Sequence, residues 1–304
     1  MKSATVCTLV YGLLASHMAL ADVTMRSKID YKLGSYLPPA AAEGMNKAMG
    51  DSVANGVVLR IKGKRSVSSS GALLVLTDQE KGTITLLDPK GKRYATCPIA
   101  EYGDKLKAAM PEMPPQAKQM LESLKIDIKT DKTGKTDTIK GIQAEEMLVT
   151  VNIGMDGPMA AAMAMKMEMH LWAATKDELE RVPALKEVAS YMKAQAAGTD
   201  AASMASKMFG QLPGFGDKLK QPMADIMKAS SNAVLRMQMK MMMPGSAKMM
   251  GAKDPDEPFT DLTTDMVELS TDAIADSVFQ VPEGYQSAPL EELVKMMNPA
   301  RQGQ

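Results

Sequence analysis

The chain has 304 residues, and its 36 Lys and Arg balance 36 Asp and Glu, so the formal net charge is +0. A balanced charge argues against the broad basic surface with which proteins bind nucleic acid or anionic membranes. With 2 cysteines and 2 histidines in all, the chain also lacks the ligands for a disulfide framework or for zinc sites built from several such residues.

The first 21 residues have the pattern of a secretory signal peptide. Lys2 precedes a short apolar run, and residues 19–21 read Ala-Leu-Ala, a small-residue cleavage site. The apolar run is shorter than the roughly 20 residues that span a bilayer. We therefore predict cleavage after Ala21 and an exported protein without a membrane-spanning segment. Cleavage removes Cys7 and His17, which leaves Cys97 and His170 as the only cysteine and histidine of the mature chain.

The mature chain begins with two-residue alternation of apolar and polar side chains, which is typical of half-buried strands. Strands are predicted at residues 22–33, 57–62, 73–77, 83–87 and 92–96. Between them, residues 38–49 are interpreted as a loop with a short helical turn and residues 66–71 as a turn. Asp88-Pro-Lys-Gly91 predicts a β-turn, since proline favours the second position of such turns and glycine the fourth.

Helical spacing follows, interrupted by prolines. Residues 101–110 predict one helix, and the apolar spacing i, i+3, i+4, i+7 over residues 117–124 predicts a second. We expect this pair of helices to pack against the concave side of the sheet.

The second half of the chain returns to strands on either side of a helical insertion. Strands are predicted at residues 125–130, 147–153, 163–172, 235–241 and 263–269, with a turn at 131–136 and a loop at 248–258. Thr175 and Glu178 have the spacing of a capping box, so an insertion of helices is predicted over about residues 175–231. A short helix is predicted at residues 291–297. The fold class is therefore α+β, with a curled antiparallel sheet that is wet on one face and covered by helices on the other.

Two of the predicted strands carry methionine or leucine at every second position. Successive side chains of a strand point to opposite faces, so each of these strands has one flexible apolar face. The candidate residues for a ligand cavity are those on this face: Met163, Met165, Met167, Met169, Leu235, Met237, Met239 and Met241.

Three interpretations of these methionines are open. They fill a core, because methionine packs into irregular gaps. They line a cavity for a flexible apolar ligand such as an acyl chain, because an unbranched side chain repacks around variable partners. They bind Cu(I), because thioethers are soft ligands that select this ion, and residues 241–243 and 249–250 add further methionines.

The sequence offers no catalytic constellation. A nucleophile–base pair would have to use His170. This residue shares the predicted solvent-exposed face with Lys166 and Glu168 and is interpreted as a solvated histidine. Cys97, beside Pro98, is interpreted as a small apolar residue at a strand end. We predict neither an enzyme nor a bound cofactor or metal at a His or Cys site.

Four segments carry a resemblance: residues 83–94, residues 140–150, residues 169–174 and the closing Val-Phe-Gln-Val-Pro-Glu-Gly-Tyr at residues 278–285. Together they resemble a family of exported bacterial domains of unknown function that is related to the LolA/LppX-like lipoprotein-carrier superfamily. The resemblance implies a half-open β-barrel curled around helices, located in the periplasm of a Gram-negative bacterium. In the better-known relatives, the concavity holds the acyl chains of a lipoprotein or lipid.

These observations predict a signal peptide at residues 1–21, one α+β domain at residues 22–290, and a short helix and tail at residues 291–304. The predicted function is a periplasmic, non-catalytic binding module for a hydrophobic ligand, a lipid or an acyl chain. The alternatives are an envelope protein that binds a protein partner and has a filled methionine-rich core, and a Cu(I)-binding periplasmic protein.

Overall fold

A computed structural model describes residues 22–70, 72–109, 124–155, 164–198 and 232–296. The predicted signal peptide, most of the predicted helix at 117–124 and residues 199–231 of the predicted insertion lie outside these ranges. All statements about the fold refer to the described residues.

Twelve strands form one open sheet, in the order β12-β6-β5-β4-β3-β2-β1-β11-β10-β9-β8-β7. Their bounds are β1 Val23–Leu33, β2 Val57–Lys62, β3 Arg65–Ser70, β4 Leu73–Asp78, β5 Thr83–Asp88, β6 Arg93–Pro98, β7 Leu124–Ile139, β8 Ile142–Met155, β9 Met165–Ala174, β10 Val234–Met242, β11 Thr260–Ser270 and β12 Gln286–Ser287. All neighbours pair antiparallel except the two-residue β12, which runs parallel to β6. The predicted α+β class with an antiparallel sheet is confirmed.

The described ranges contain six helices. They are α1 Pro39–Asn55, α2 Ile99–Ala109, α3 Lys176–Arg181, α4 Pro183–Gly198, α5 Pro244–Met249 and α6 Leu290–Met296, with a 3-10 turn at Asp276–Phe279. The Thr175 hydroxyl accepts a hydrogen bond from the Glu178 backbone N–H at 3.4 Å, as the capping-box spacing predicts.

Two segments interpreted as irregular are regular in the structure. Residues 39–49 belong to the 17-residue helix α1, which begins with Pro39 and three alanines. Proline suits the first helical position and alanine has the best helix propensity, and these two signals outweigh the loop interpretation. The serine-rich residues 65–70 form β3, because β2 and β4 pair with it on both sides and override the weak strand propensity of serine.

The predicted turn at residues 131–136 is a bulge inside β7. Lys132 pairs with Met147 and Thr136 with Glu145, so three residues of β7 lie opposite Glu146 alone. Gly134 adopts a positive φ of 72° there, a conformation that glycine reaches at little cost. The predicted loop at residues 248–258 likewise starts inside α5, which ends at Met249.

Helix α2 lies at the other end of the sheet from β9 and β10, the two strands that carry the methionine rows. Its side chains Tyr102 and Leu106 pack with Leu293 of α6 over Leu86 and Cys97 of β5 and β6. β6 is the second strand of the sheet order, whereas the methionine strands β9 and β10 are near the other end. The first half of the sheet therefore has its own helical cover.

Helix α4 covers the middle of the molecule. Leu185, Val188 and Tyr191 are buried against Val23 of β1 and Ile61 of β2. Tyr191 also shares a hydrogen bond of 2.5 Å between its hydroxyl and Ser66 Oγ on β3. The predicted helical stripe that starts after Pro183 is thus the face that closes the central core.

Candidate functional site: the methionine face

The two strands that carry the methionines, β9 and β10, are direct neighbours in the sheet, and their methionine rows lie side by side on the same face. Met239 of β10 pairs with Met169 of β9, and Met241 pairs with Met167. Side chains directly opposite in an antiparallel pair have Cβ atoms about 4.5–5.5 Å apart. Four thioethers are therefore grouped on one side of two adjacent strands.

The neighbouring strands extend this apolar surface in both directions. On β8, Val149 pairs with Met169 and Val151 with Met167. On β11, Leu262 pairs with Met239. We call this surface the methionine face, and it comprises Ile126, Ile128, Val149, Val151, Ile153, Met165, Met167, Met169, Leu171, Met237, Met239, Met241 and Leu262.

Side chains at the centre of the methionine face are buried, whereas its methionines are partly exposed to solvent. Val149 is 0% exposed and Leu171 is 2% exposed, and both belong to one buried cluster. The methionines of β9 and β10 are only half-buried. Their side chains thus line the accessible part of an otherwise packed apolar surface.

A depression of about 380 Å³ lies at one end of the methionine face. Its apolar lining includes Ile126, Ile153, Met165 and Pro244, and its charged lining residues are Lys125, Asp127 and Lys166. Small-molecule sites in proteins have volumes of about 300–1,000 Å³. The depression is therefore large enough to take part of a small apolar ligand.

Six of the eight predicted cavity residues lie together on the methionine face, namely Met165, Met167, Met169, Met237, Met239 and Met241. Met163 lies outside the described residues. Leu235 does not belong to the face: it is 1% exposed and packs in the central cluster with Leu185 and Trp172. The register between β10 and β9 shifts between Val234 and Arg236, and this irregularity takes Leu235 out of the methionine row.

The opposite side of the same strands is polar. Lys166, Glu168 and His170 of β9 lie opposite Met242, Lys240 and Gln238 of β10. Arg236 donates to Asp137 at 2.6 Å and also hydrogen-bonds Asp265. His170 therefore points away from the methionine row, as the alternation predicts.

His170 is not the solvated residue that the sequence suggested. Its side chain is 15% exposed, and Nδ1 lies 2.7 Å from Glu146 Oε1. The other carboxylate oxygen of Glu146 accepts from the Thr133 hydroxyl at 2.6 Å and lies 3.3 Å from Lys135 Nζ. Thr133 and Lys135 flank Gly134 in the β7 bulge, so the bulge supplies two of the three partners of this carboxylate.

The charge of Glu146 is held by these partners. Burial acts to raise the pKa of Glu146, but hydrogen bonds with Thr133, His170 and Lys135 outweigh it and leave the pKa below its ordinary value of 4.5. Glu146 was not among the residues predicted from the sequence. The available signal was an acidic residue at a position of β8 where the alternation places buried side chains.

Other chemistry is sparse in the part of the chain that the structure describes. Cys97 is buried, and burial raises the pKa of its thiol, which disfavours the reactive thiolate. Across the described ranges, no three or more His, Cys, Asp or Glu side chains cluster in a way that would hold a metal ion. None of the described helices combines the length and the apolarity needed to cross a membrane.

A scan of protein-family models and a search of curated proteins both found no match to this chain. The resemblance to the lipoprotein-carrier superfamily therefore stays a prediction.

Proposed function

We propose that the protein is an exported, non-catalytic binding module of the periplasm, and that its methionine face binds a hydrophobic ligand, a lipid or an acyl chain. The observation that carries this proposal is the cross-strand quartet of Met167, Met169, Met239 and Met241 at the half-open part of an apolar sheet face.

The chemistry of methionine supports an adaptable ligand. Its side chain has three rotatable bonds and a polarizable sulfur, so a surface of methionines repacks around different apolar shapes. A site built for one rigid ligand would favour branched and aromatic side chains with fewer conformers. The buried Val149 and Leu171 give the flexible methionines a fixed base.

The depression at the end of the methionine face supports the same proposal. Its lining combines apolar side chains with the charged residues Lys125, Asp127 and Lys166. An acyl chain matches the apolar part of this lining, because it can contact Ile126, Ile153 and Met165 together.

Binding of Cu(I) is a second candidate, which the same quartet favours. Two cross-strand pairs bring four thioethers to one surface patch, and soft sulfur ligands select Cu(I) over harder ions. The two candidates make opposite predictions for leucine. Leucine keeps the apolar surface but removes the sulfur, so it preserves acyl-chain binding and abolishes Cu(I) binding.

A titration of the mature chain with palmitate tests the proposal. We expect palmitate to bind, and Met169→Gln with Met239→Gln to weaken it about tenfold or more, because two polar amides replace apolar contacts. Met169→Leu with Met239→Leu should bind palmitate as the unmodified chain does. Met249→Gln is the matched control, since Met249 is 75% exposed and is not on the methionine face.

The outcomes separate the candidates. Failure of palmitate to bind the unmodified chain, with Cu(I) taken up and lost in the leucine variant, would replace the lipid proposal by the copper one. Binding of neither probe would leave the methionines as a filled core and would favour the envelope protein that acts through a protein partner.

A further inference from the structure

The sheet ends at β7, a strand of 16 residues whose inner side pairs with β8 before and after the bulge. Within the described ranges, no strand pairs with its outer side. Such an edge presents a row of backbone N–H and C=O groups and is a template for another strand unless it is interrupted. Residues 124–132 contain no proline and precede the bulge, so they form a regular edge of about 30 Å at roughly 3.4 Å per residue.

The charges on this edge alternate in sign. Lys125, Asp127, Lys129 and Asp131 are exposed at every second position, whereas Ile126 and Ile128 between them lie on the methionine face. The Lys129 ammonium lies 3.7 Å from the Asp127 carboxylate on the same strand, and both side chains are more than half exposed. A Lys-Asp-Lys-Asp row is complementary to its own reverse.

We propose that β7 pairs antiparallel with β7 of a second copy of this chain, about a two-fold axis at Ile128. In this register Asp127 lies opposite Lys129 of the second copy, and Lys125 lies opposite Asp131. The symmetry repeats both pairs, so all four charges of each copy face an opposite charge. Ile128 meets Ile128 of the second copy, and the two apolar faces become one continuous surface.

The charge pattern also selects this register against its neighbours. If the two-fold axis lay at Asp127, Asp127 would lie opposite Asp127 of the second copy, and Lys125 would lie opposite Lys129 of that copy. If the axis lay at Lys129, Lys129 would lie opposite Lys129 of the second copy, and Asp127 would lie opposite Asp131 of that copy. Like charges directly opposite destabilise a pair of strands, so the nearest alternative registers are disfavoured. This inference does not depend on which ligand occupies the methionine face.

Sedimentation velocity of the mature chain over a concentration series tests the proposal. We expect a monomer–dimer equilibrium that weakens as salt rises, because the paired charges are exposed. Lys129→Asp and Asp127→Lys should each weaken the dimer about tenfold or more, because each places two pairs of like charges opposite each other. Lys64→Asp is the matched control: Lys64 is exposed in the turn between β2 and β3, so the same change in charge there should leave the dimer intact.

Charge exchange distinguishes pairing from a loss of folding. The double variant Asp127→Lys with Lys129→Asp restores opposite charges across the two-fold axis and should dimerise again. An equimolar mixture of the two single variants should form a heterodimer. One chain then carries a carboxylate at both positions 127 and 129, and each carboxylate faces an ammonium group of the other chain.

Cysteine cross-linking checks the register. Ile128→Cys should form a disulfide-linked dimer on mild oxidation, because residues opposite on the two-fold axis have Cα atoms within the range of a disulfide. Thr130→Cys should not, because the two cysteines would be offset by four residues, or about 13 Å along the strands. The proposal would be overturned if the chain stayed monomeric at all concentrations, or if the charge variants left the dissociation constant of the dimer unchanged. The first result would place a segment of the same chain, or nothing, on this edge.

Discussion

At the scale of single residues, Glu146 explains how the polar side of the methionine strands is held. Its side chain is 3% exposed, yet it carries a charge, because Thr133, Lys135 and His170 supply a hydroxyl, an ammonium and an imidazole to its two oxygens. A buried carboxylate with fewer partners would take up a proton instead. The cluster joins the β7 bulge to β8 and β9.

Replacement of Glu146 by glutamine tests this role. We expect Glu146→Gln to lower the free energy of unfolding by about 1–3 kcal/mol at pH 7. The neutral amide has only one acceptor oxygen and no charge, so it cannot replace the hydrogen bonds and the ion pair that the buried carboxylate makes. Denaturation by urea measures the change. Glu145→Gln is the control, because this neighbouring residue is exposed and the substitution is the same; an equal loss in both variants would contradict the role given to Glu146.

The stability conferred by Glu146 has a defined dependence on pH. Because the pKa of Glu146 in the folded chain lies below its ordinary value of 4.5, the stabilisation is complete above that value and is lost as the pH falls through the lower folded pKa. The difference in free energy of unfolding between the unmodified chain and Glu146→Gln should therefore shrink from pH 7 to about pH 3.5. A difference that stays constant over this range would show that the carboxylate charge does not contribute.

At the scale of elements, the irregularity at the start of β10 separates residues that belong to the core from residues available to a ligand. Leu235 is 1% exposed in the central cluster, whereas Met237, two residues later, is half-buried on the methionine face. A strict alternation would have placed both in one row.

Leu235→Ala should therefore act on stability and Met237→Ala mainly on binding. We expect Leu235→Ala to cost about 2–5 kcal/mol, because it leaves a cavity in a packed cluster, and to leave palmitate affinity unchanged in the fraction that is folded. Met237→Ala should cost less stability and weaken palmitate binding. Thermal melts together with palmitate titrations of both variants decide between this division and a single shared row.

Helix α4 is anchored to the sheet by a polar contact as well as by its apolar stripe. Burial raises the pKa of Tyr191, and its neutral hydroxyl hydrogen-bonds Ser66 on β3. Tyr191→Phe should lower the free energy of unfolding by about 0.5–1.5 kcal/mol. A double-mutant cycle with Ser66→Ala measures the coupling between the two side chains, and additive losses would mean that the hydroxyls do not stabilise each other.

The elements with clear local signals were predictable from the sequence. Two-residue alternation placed most strands correctly, and the Asp88–Gly91 turn forms as expected, with the Asp88 carboxylate accepting from the Gly91 N–H at 2.9 Å. The strand positions of Met165 through Leu171 and of Met237 through Met241 were also readable, because their alternation is strict.

The remainder depended on contacts between distant parts of the chain. The serines of β3 become a strand only because β2 and β4 lie on either side of them. The residues at 133–135 look like a turn, and their partner Glu146 becomes visible only once β8 is in register. The position of α2 over β5 and β6 follows from tertiary packing with α6, which no local pattern encodes.

At the scale of the whole molecule, the sheet divides into two halves with different surroundings. Strands β4 to β6 are covered on one side by α2 and α6. On the other side of β3 to β6 lie residues 278–285, whose Val278 and Tyr285 pack against Val67 and Leu87. Strands β7 to β11 carry the methionine face on one side and the polar network of Glu146, His170 and Arg236 on the other. The first half is a closed core, and the second half offers the surface to which we assign ligand binding.

Native mass spectrometry of the mature chain, purified from the periplasm of the cell that produces it, tests this assignment most directly. We expect a mass increment that matches a lipid, that disappears after gentle organic extraction, and that is absent when Met169 and Met239 are replaced by glutamine. The bare polypeptide mass before extraction, together with no uptake of added palmitate, would contradict it.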